Sequence, residues 1–370
     1  MNDDLLRYKI RFLTFALLLG YVFIHVFLTK SYVDVTLLKQ IDFSARLPYG
    51  QRLLVPALAH FIFGIVPIQV DYLFFLLEWV FVSFLYFALV KLLEQEFNPK
   101  QAQLLSWLFL LLLPLMTVVN YRYTSGGESN FYYPYDTASL FFLVVGFLLC
   151  LRAQWLYFIP WVFLATFNRE STILLVLLIP ALHWKNPKTF IWPMLYALLA
   201  YILARFIVLN MLHDVPGQLM EWYFRTTSHT YFEVNLYWLF DLQNILLFLF
   251  CFAGLPLFWF AFYDYIPLRY RALRYVMLFY FLGLMLVGNF MEARLFSEIT
   301  VLLYMPVCVA LRGWLIDQKP YYPAERGILS IIDRYFVLEI LVFITLFRYP
   351  LNLWLVWLLH HFELYHTLIS

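Results

Sequence analysis

Long apolar stretches broken by brief polar clusters run through all 370 residues of the chain. A helix crossing a hydrocarbon layer needs about 20 apolar residues, and backbone groups in lipid must find partners within their own segment. The pattern gives eleven stretches read as helical spans: 11–29, 70–92, 102–119, 137–151, 154–168, 171–184, 189–212, 244–263, 275–290, 297–315 and 336–358. The expected fold class is therefore all-α, a polytopic transmembrane helical bundle forming a single domain over 1–370. Its expected parts are a core over 1–212, a long loop over 213–243 and additional spans over 244–370.

The stretch from Leu53 to Pro67 is left out of that count. It is short, carries Pro56, His60 and Gly64, and ends at a proline, all of which suit a re-entrant or juxtamembrane helix. Basic residues test the choice, because cytoplasmic flanks are enriched in Lys and Arg. With the amino terminus inside, 15 of the 25 basic residues fall on the cytoplasmic side and eight outside, while Arg205 and Arg348 lie within spans. Counting 53–67 as a span reverses the bias to seven inside against 16 outside. The expected orientation is a cytoplasmic amino terminus and an extracytoplasmic carboxyl terminus. The first apolar run, from Arg11 to Thr29, has no small-residue cleavage pattern after it and is read as a retained span.

Composition agrees with membrane residence: 64% of residues are apolar, 13% are charged, and the mean hydropathy is +0.78. A net charge of +2 gives no footprint for nucleic acid, and there is no glycine-rich phosphate loop. Cys150, Cys251 and Cys308 lie in apolar runs without metal-type spacing, so neither a disulfide framework nor a zinc site is expected; the expected cofactor is none, with a divalent metal left open.

The most informative polar feature is Arg169-Glu170. The runs on either side of it are each too short to cross a bilayer, so the two charges are expected near membrane depth. A charge there costs roughly 2.5 kcal/mol or more and is commonly functional. The orientation above also gathers four further polar clusters on the extracytoplasmic side. They are the first loop, with Asp34, Lys39, Asp42, Arg46 and Arg52; the stretch from Tyr121 to Asp136, with Gly126 and Gly127; the stretch from Gly288 to Glu298; and the long loop from His213 to Asn244. Acids, arginines and aromatics on one face can build a polar substrate site.

Each cluster also has a structural reading. Asp136 is well placed to cap a helix. Glu292 and Arg294 are two residues apart and do not share a helix face, so Glu292 is expected to find another partner, with Arg169 the obvious one. Most Tyr and Trp residues suit an interfacial belt. His25, His60 and His183 read as packing or interface residues, and the histidines at 360, 361 and 366 as a polar tail.

Pro48-Tyr-Gly-Gln-Arg-Leu-Leu-Val-Pro56, Tyr133-Pro-Tyr-Asp136, Phe167-Asn-Arg-Glu170 and Glu292-Ala-Arg-Leu-Phe296 look like signatures of bacterial polytopic proteins of one general shape. In layout over residues 1–212 the chain resembles the GT-C superfamily of membrane glycosyltransferases. It differs from many of them in lacking an Asp-x-Asp pattern in the first outer loop and a carboxyl-terminal soluble domain. The resemblance implies inverting transfer of a sugar from a polyprenyl-phosphate-linked donor to a glycan, lipid or protein acceptor, in a bacterial plasma membrane. A carboxylate in the first outer loop would be the base: Asp34 first, then Asp42. Arginines would hold the lipid phosphate, Arg169 first, then Arg294, Arg52 and Arg46, with Glu170 and Glu292 orienting them. Tyr133, Tyr135 and Asp136 would line the sugar pocket. Membrane lipids and membrane-protein partners complete the expected partners, and nucleic acid is not among them. The alternatives are a polysaccharide polymerase using lipid-linked sugars, a transporter or flippase for a lipid-linked or polar solute, and a non-enzymatic assembly subunit.

Overall fold

The computed structural model describes residues 2–125, 130–185, 187–222, 229–321 and 328–362. Gly126 and Gly127 of the glycine-bearing loop, Arg225, Arg326 and the tail histidine at 366 lie outside the described residues. The chain is all-helical, with 78% of it in helices and no strand among the described residues. Among the described residues six helices are long and apolar enough to span a membrane, and up to eight spans result if two sharply bent helix pairs each count as one. The protein is an integral membrane protein.

Two compact units divide at Gly217. The first, Met1–Gly217, contains α1 (Asn2–Phe27), α2 (Leu37–Ile41), α3 (Leu54–Ile65), α4 (Val70–Leu93), α5 (Pro99–Pro114), α6 (Asn120–Thr124), α7 (Asp136–Leu151), α8 (Trp155–Asn168), α9 (Ile173–His183) and α10 (Pro187–Met211). Asn98 and Gln101 form a capping box that starts α5, with Pro99 in its first turn. Pro114 then removes a hydrogen bond from the ladder, and a π-helical turn over Leu115–Val119 carries the chain into α6. α4 packs against α1, α5 and α7, while α10 packs against α8 and α9. The helices α3, α7, α8 and α9 have 12, 16, 14 and 11 residues, so at 1.5 Å per residue even α7 covers only about 24 Å. They are apolar but shorter than a single crossing requires; α3 was expected to be so, whereas α7, α8 and α9 are where the structure's inventory of spans parts from the eleven expected.

The break between α8 and α9 is held against the first loop. Leu53 N–H donates to Phe167 O at 2.8 Å, and Leu47, Leu53, Val208 and Leu212 form a small core with Phe167 and Val215 packed on it. Leu47 N–H donates to Pro216 O, and Gly217 follows with φ +117°, where a Cβ would come within 2.6 Å of Leu47 O. Only glycine suits that close approach. A second tie joins Lys30 to Asn130 and Tyr132 through backbone hydrogen bonds of 3.0 and 2.9 Å.

The second unit, Gln218–Ser370, contains α11 (Tyr231–Leu239), α12 (Leu242–Cys251), α13 (Leu255–Ala261), α14 (Leu268–Arg271), α15 (Leu273–Val287), α16 (Ser297–Leu315), α17 (Ile328–Leu346) and α18 (Arg348–His361). Three expectations are corrected here. The loop over 213–243 contains α11, because Thr230 caps an apolar run by accepting from Glu233 N–H. The span over 244–263 is split: Ala253 and Gly254 take left-handed conformations, and Pro256 opens a new helix. The span over 336–358 is bent by 76° at Phe347. Pro350 accounts for that bend, because it has no N–H to offer residue 346 and its ring crowds that carbonyl.

Candidate functional site

In the first unit, three segments distant in sequence converge on Arg52. Its Nε donates to Glu170 Oε2 at 3.3 Å and its Nη2 to Glu170 Oε1 at 2.7 Å, a two-pronged pair. Nη1 donates to the Tyr135 hydroxyl at 2.8 Å, and the guanidinium lies 4.6 Å from the centroid of the Tyr135 ring. Tyr49, Tyr133 and Tyr135 continue as a stack with centroids 5.6 Å apart at each step. Tyr133 and Tyr135 are buried. Their faces are spent on one another, on Tyr49 and on the arginine, so in this state they hold Arg52 and present no open ring to a sugar.

Beside this lies a second pair. Arg169 Nη1 donates to Asp136 Oδ1 at 3.2 Å, and both side chains are only 3% exposed. Tyr135, not Asp136, occupies the cap position of α7, so the expected capping role passes from Asp136 to a place in the first turn. There its charge still complements the positive end of the helix. Asn168 fixes the register by donating to Tyr135 O at 3.1 Å and to Ser139 Oγ at 2.9 Å. Arg52 and Glu170 are 8% and 36% exposed, which makes their pair the more open of the two.

Glu170 lies in the short 3-10 turn between α8 and α9, outside the six candidate spans. Burial raises the pKa of its carboxyl, but Arg52, by charge and hydrogen bond, outweighs that and brings it to about 2. A carboxyl held below its ordinary 4.5 stabilises the fold fully above that pH and loses the contribution as pH falls toward 2. The melting temperature of wild type minus that of Glu170→Gln should therefore be constant above about pH 4.5 and shrink below it. A difference that instead grows as pH falls would reverse the assignment.

The other expected residues distribute as follows. Asp34 pairs with Arg46 at 3.6 Å, and Arg46 Nε also donates to Leu47 O. Asp42 ends α2, where its N–H donates to Leu38 O, and its carboxylate is exposed with no ion pair among the described residues. Glu292 and Arg294 belong to the second unit and pair with each other. This corrects the expectation that they could not meet: Glu292 precedes the 3-10 turn over Ala293–Phe296 and is not helical, so the same-face rule does not govern it. Arg169 in turn has Asp136 as a partner.

Sequence reasoning passed over several residues of the site. Arg205 Nη2 donates to Gln51 Oε1, and the Tyr201 hydroxyl donates to Glu170 O at 3.0 Å. α10 thus closes the same cluster. Sequence gave one signal, an arginine inside a long apolar helix.

A further buried polar cluster surrounds Glu78, which is 1% exposed in the middle of α4. His25 Nδ1 lies 2.7 Å from Glu78 Oε1, Thr137 donates to that same oxygen, and Tyr132 donates to Oε2 at 3.3 Å. The Tyr21 hydroxyl is 3.1 Å from Thr137 Oγ1. An acid in an apolar run predicts such partners, and His25 is one of them. Glu78→Ala should lower stability by about 1–3 kcal/mol, because it strands several buried donors. Glu78→Gln keeps an acceptor and should cost less, which thermal unfolding in detergent can measure.

No group of three or more His, Cys, Asp or Glu side chains able to hold a metal occurs among the described residues. No protein-family profile, curated protein or solved structure matches the chain.

Proposed function

We propose that the chain transfers a sugar from a polyprenyl-phosphate-linked donor to an acceptor at the extracytoplasmic face of a bacterial plasma membrane, on a GT-C-like helical scaffold. The supporting observation is the Arg52 cluster: a buried two-pronged guanidinium, ringed by tyrosines and joined by the partly exposed Glu170 in the break between two short apolar helices. A phosphate offers the same two-oxygen edge that Glu170 now supplies, so it can share or replace that partner. Arg52 thereby becomes the first phosphate ligand in this scheme. The buried Arg169–Asp136 pair becomes a support that sets the break.

In the reaction, the acceptor O–H gives its proton to a first-loop carboxylate, Asp34 or Asp42, as the new bond from oxygen to the anomeric carbon forms. The bond from that carbon to the phosphate oxygen breaks, and its electron pair stays on the phosphate. Arg52 stabilises the charge developing there. No step requires a cofactor. Cells lacking the chain should accumulate one lipid-linked sugar, identified by mass spectrometry of the lipid fraction. An unchanged lipid-linked pool would count against this function.

A transporter or flippase is the second function that a specific observation favours. His25 and Glu78 form a buried ionisable pair inside spanning-length helices, a recurrent arrangement in proton-coupled carriers. For a transporter, Glu78→Gln should abolish solute movement. For a transferase, it should leave turnover within a few-fold of wild type once protein levels are matched.

A further inference from the structure

The second unit holds a cavity of about 250 Å³ that the transfer chemistry does not use. Phe232 and Leu236 of α11 form its buried floor, and Phe240 and Tyr349 form an exposed apolar rim. It lies where two bent helix pairs break: Phe240 ends α11 at the 103° bend into α12, and Arg348 begins α18 at the 76° bend after α17. Two charged side chains of opposite sign line this one small space, Arg348 and Glu233.

Neither charge has a permanently charged partner among the described residues. Arg348 has no carboxylate partner among the described residues; its guanidinium donates to Thr345 O at 3.5 Å and lies 5.1 Å from the Phe240 ring centroid. Glu233 Oε2 has His229 Nδ1 at 3.1 Å and no Lys or Arg partner among the described residues. A cation without a carboxylate partner and an anion met only by a histidine among the described residues, on opposite helices in an apolar notch between membrane-length helix pairs, match a ligand that carries both charges close together on an apolar body. We infer that this cavity binds the headgroup of a zwitterionic phospholipid bearing a primary ammonium. Its phosphate meets Arg348, its ammonium meets Glu233, and its acyl chains leave over Phe240 and Tyr349. Arginine suits a phosphate diester because its weakly hydrated fork gives up water readily. The surrounding rings favour an ammonium over a neutral headgroup.

The test is native mass spectrometry of the purified full chain from nanodiscs containing equal amounts of dioleoyl-phosphatidylethanolamine and dioleoyl-phosphatidylglycerol. Wild type should retain the ethanolamine lipid at least about fivefold over the glycerol lipid. Arg348→Gln should lose retention of both. Glu233→Gln should keep the glycerol lipid and lose the preference, with melting temperatures confirming that both variants are folded. Equal retention of the two lipids by wild type, or a preference that survives Glu233→Gln, overturns the assignment. Displacement of the lipid by millimolar free O-phosphoethanolamine also overturns it, by pointing to a soluble ligand.

Discussion

Replacing Arg169 by methionine should cost about 3–5 kcal/mol of stability and remove most of the folded protein from the membrane fraction, because it leaves the Asp136 carboxylate buried without its charge partner. Asp136→Leu should do comparable damage by taking the partner carboxylate from a buried guanidinium. The double variant should recover much of the loss, since a buried ion pair exchanged for apolar side chains of similar volume is often close to neutral in stability. Thermal unfolding in detergent, read by the aggregated fraction, supplies the four corners of that cycle. Independent, additive losses would mean that the two side chains do not depend on one another. Because this support also sets the break that carries Glu170, the stable double variant is expected to be folded and impaired in transfer.

How much of this could be read from the chain depends on which forces act locally. Helix placement came through, since apolar runs and their polar breaks are written residue by residue. The breaks at Gly254 and Pro350 were also present as residue types, but the apolar run across each masked its effect. The place of Arg169-Glu170 at a break between helices was legible because two short apolar runs met there without a loop. What could not be read was partnership. Arg52 meets Glu170 only because Leu53 hydrogen-bonds to Phe167 and the Leu47–Leu53 stretch packs on Val208 and Leu212. Those contacts join positions more than 100 residues apart. Glu78 and His25 fall in the same class: each reads as a lone polar residue on an apolar helix, and only the packing of α1, α4 and α7 makes them a cluster. Tyr133 and Tyr135 illustrate the converse. Their ring chemistry suits a sugar, whereas burial commits their faces to one another, to Tyr49 and, for Tyr135, to Arg52.

The largest effect on activity should come from Arg52→Lys. Lysine keeps the charge but loses the planar fork, so the two-pronged contact with Glu170, the bond to the Tyr135 hydroxyl and the packing over the Tyr135 ring cannot all persist. If Arg52 stabilises charge growing on the departing phosphate, turnover should fall by about 10²- to 10³-fold, as for loss of one well-placed donor elsewhere. The melting temperature should change much less than in Arg169→Met, because the Arg52–Glu170 pair is partly open to solvent. Equal turnover in Arg52→Lys and wild type would assign Arg52 to the scaffold and return the phosphate to another arginine.

The central claim, that a lipid phosphate docks on Arg52, is most directly tested by a photoreactive polyprenyl phosphate added to the purified protein, followed by peptide mapping of the adducts. The predicted result is labelling of the segments 46–56, 133–136 and 167–170, competed by unlabelled polyprenyl phosphate and lost in Arg52→Gln. Labelling confined to other segments, or undiminished in that variant, would contradict it.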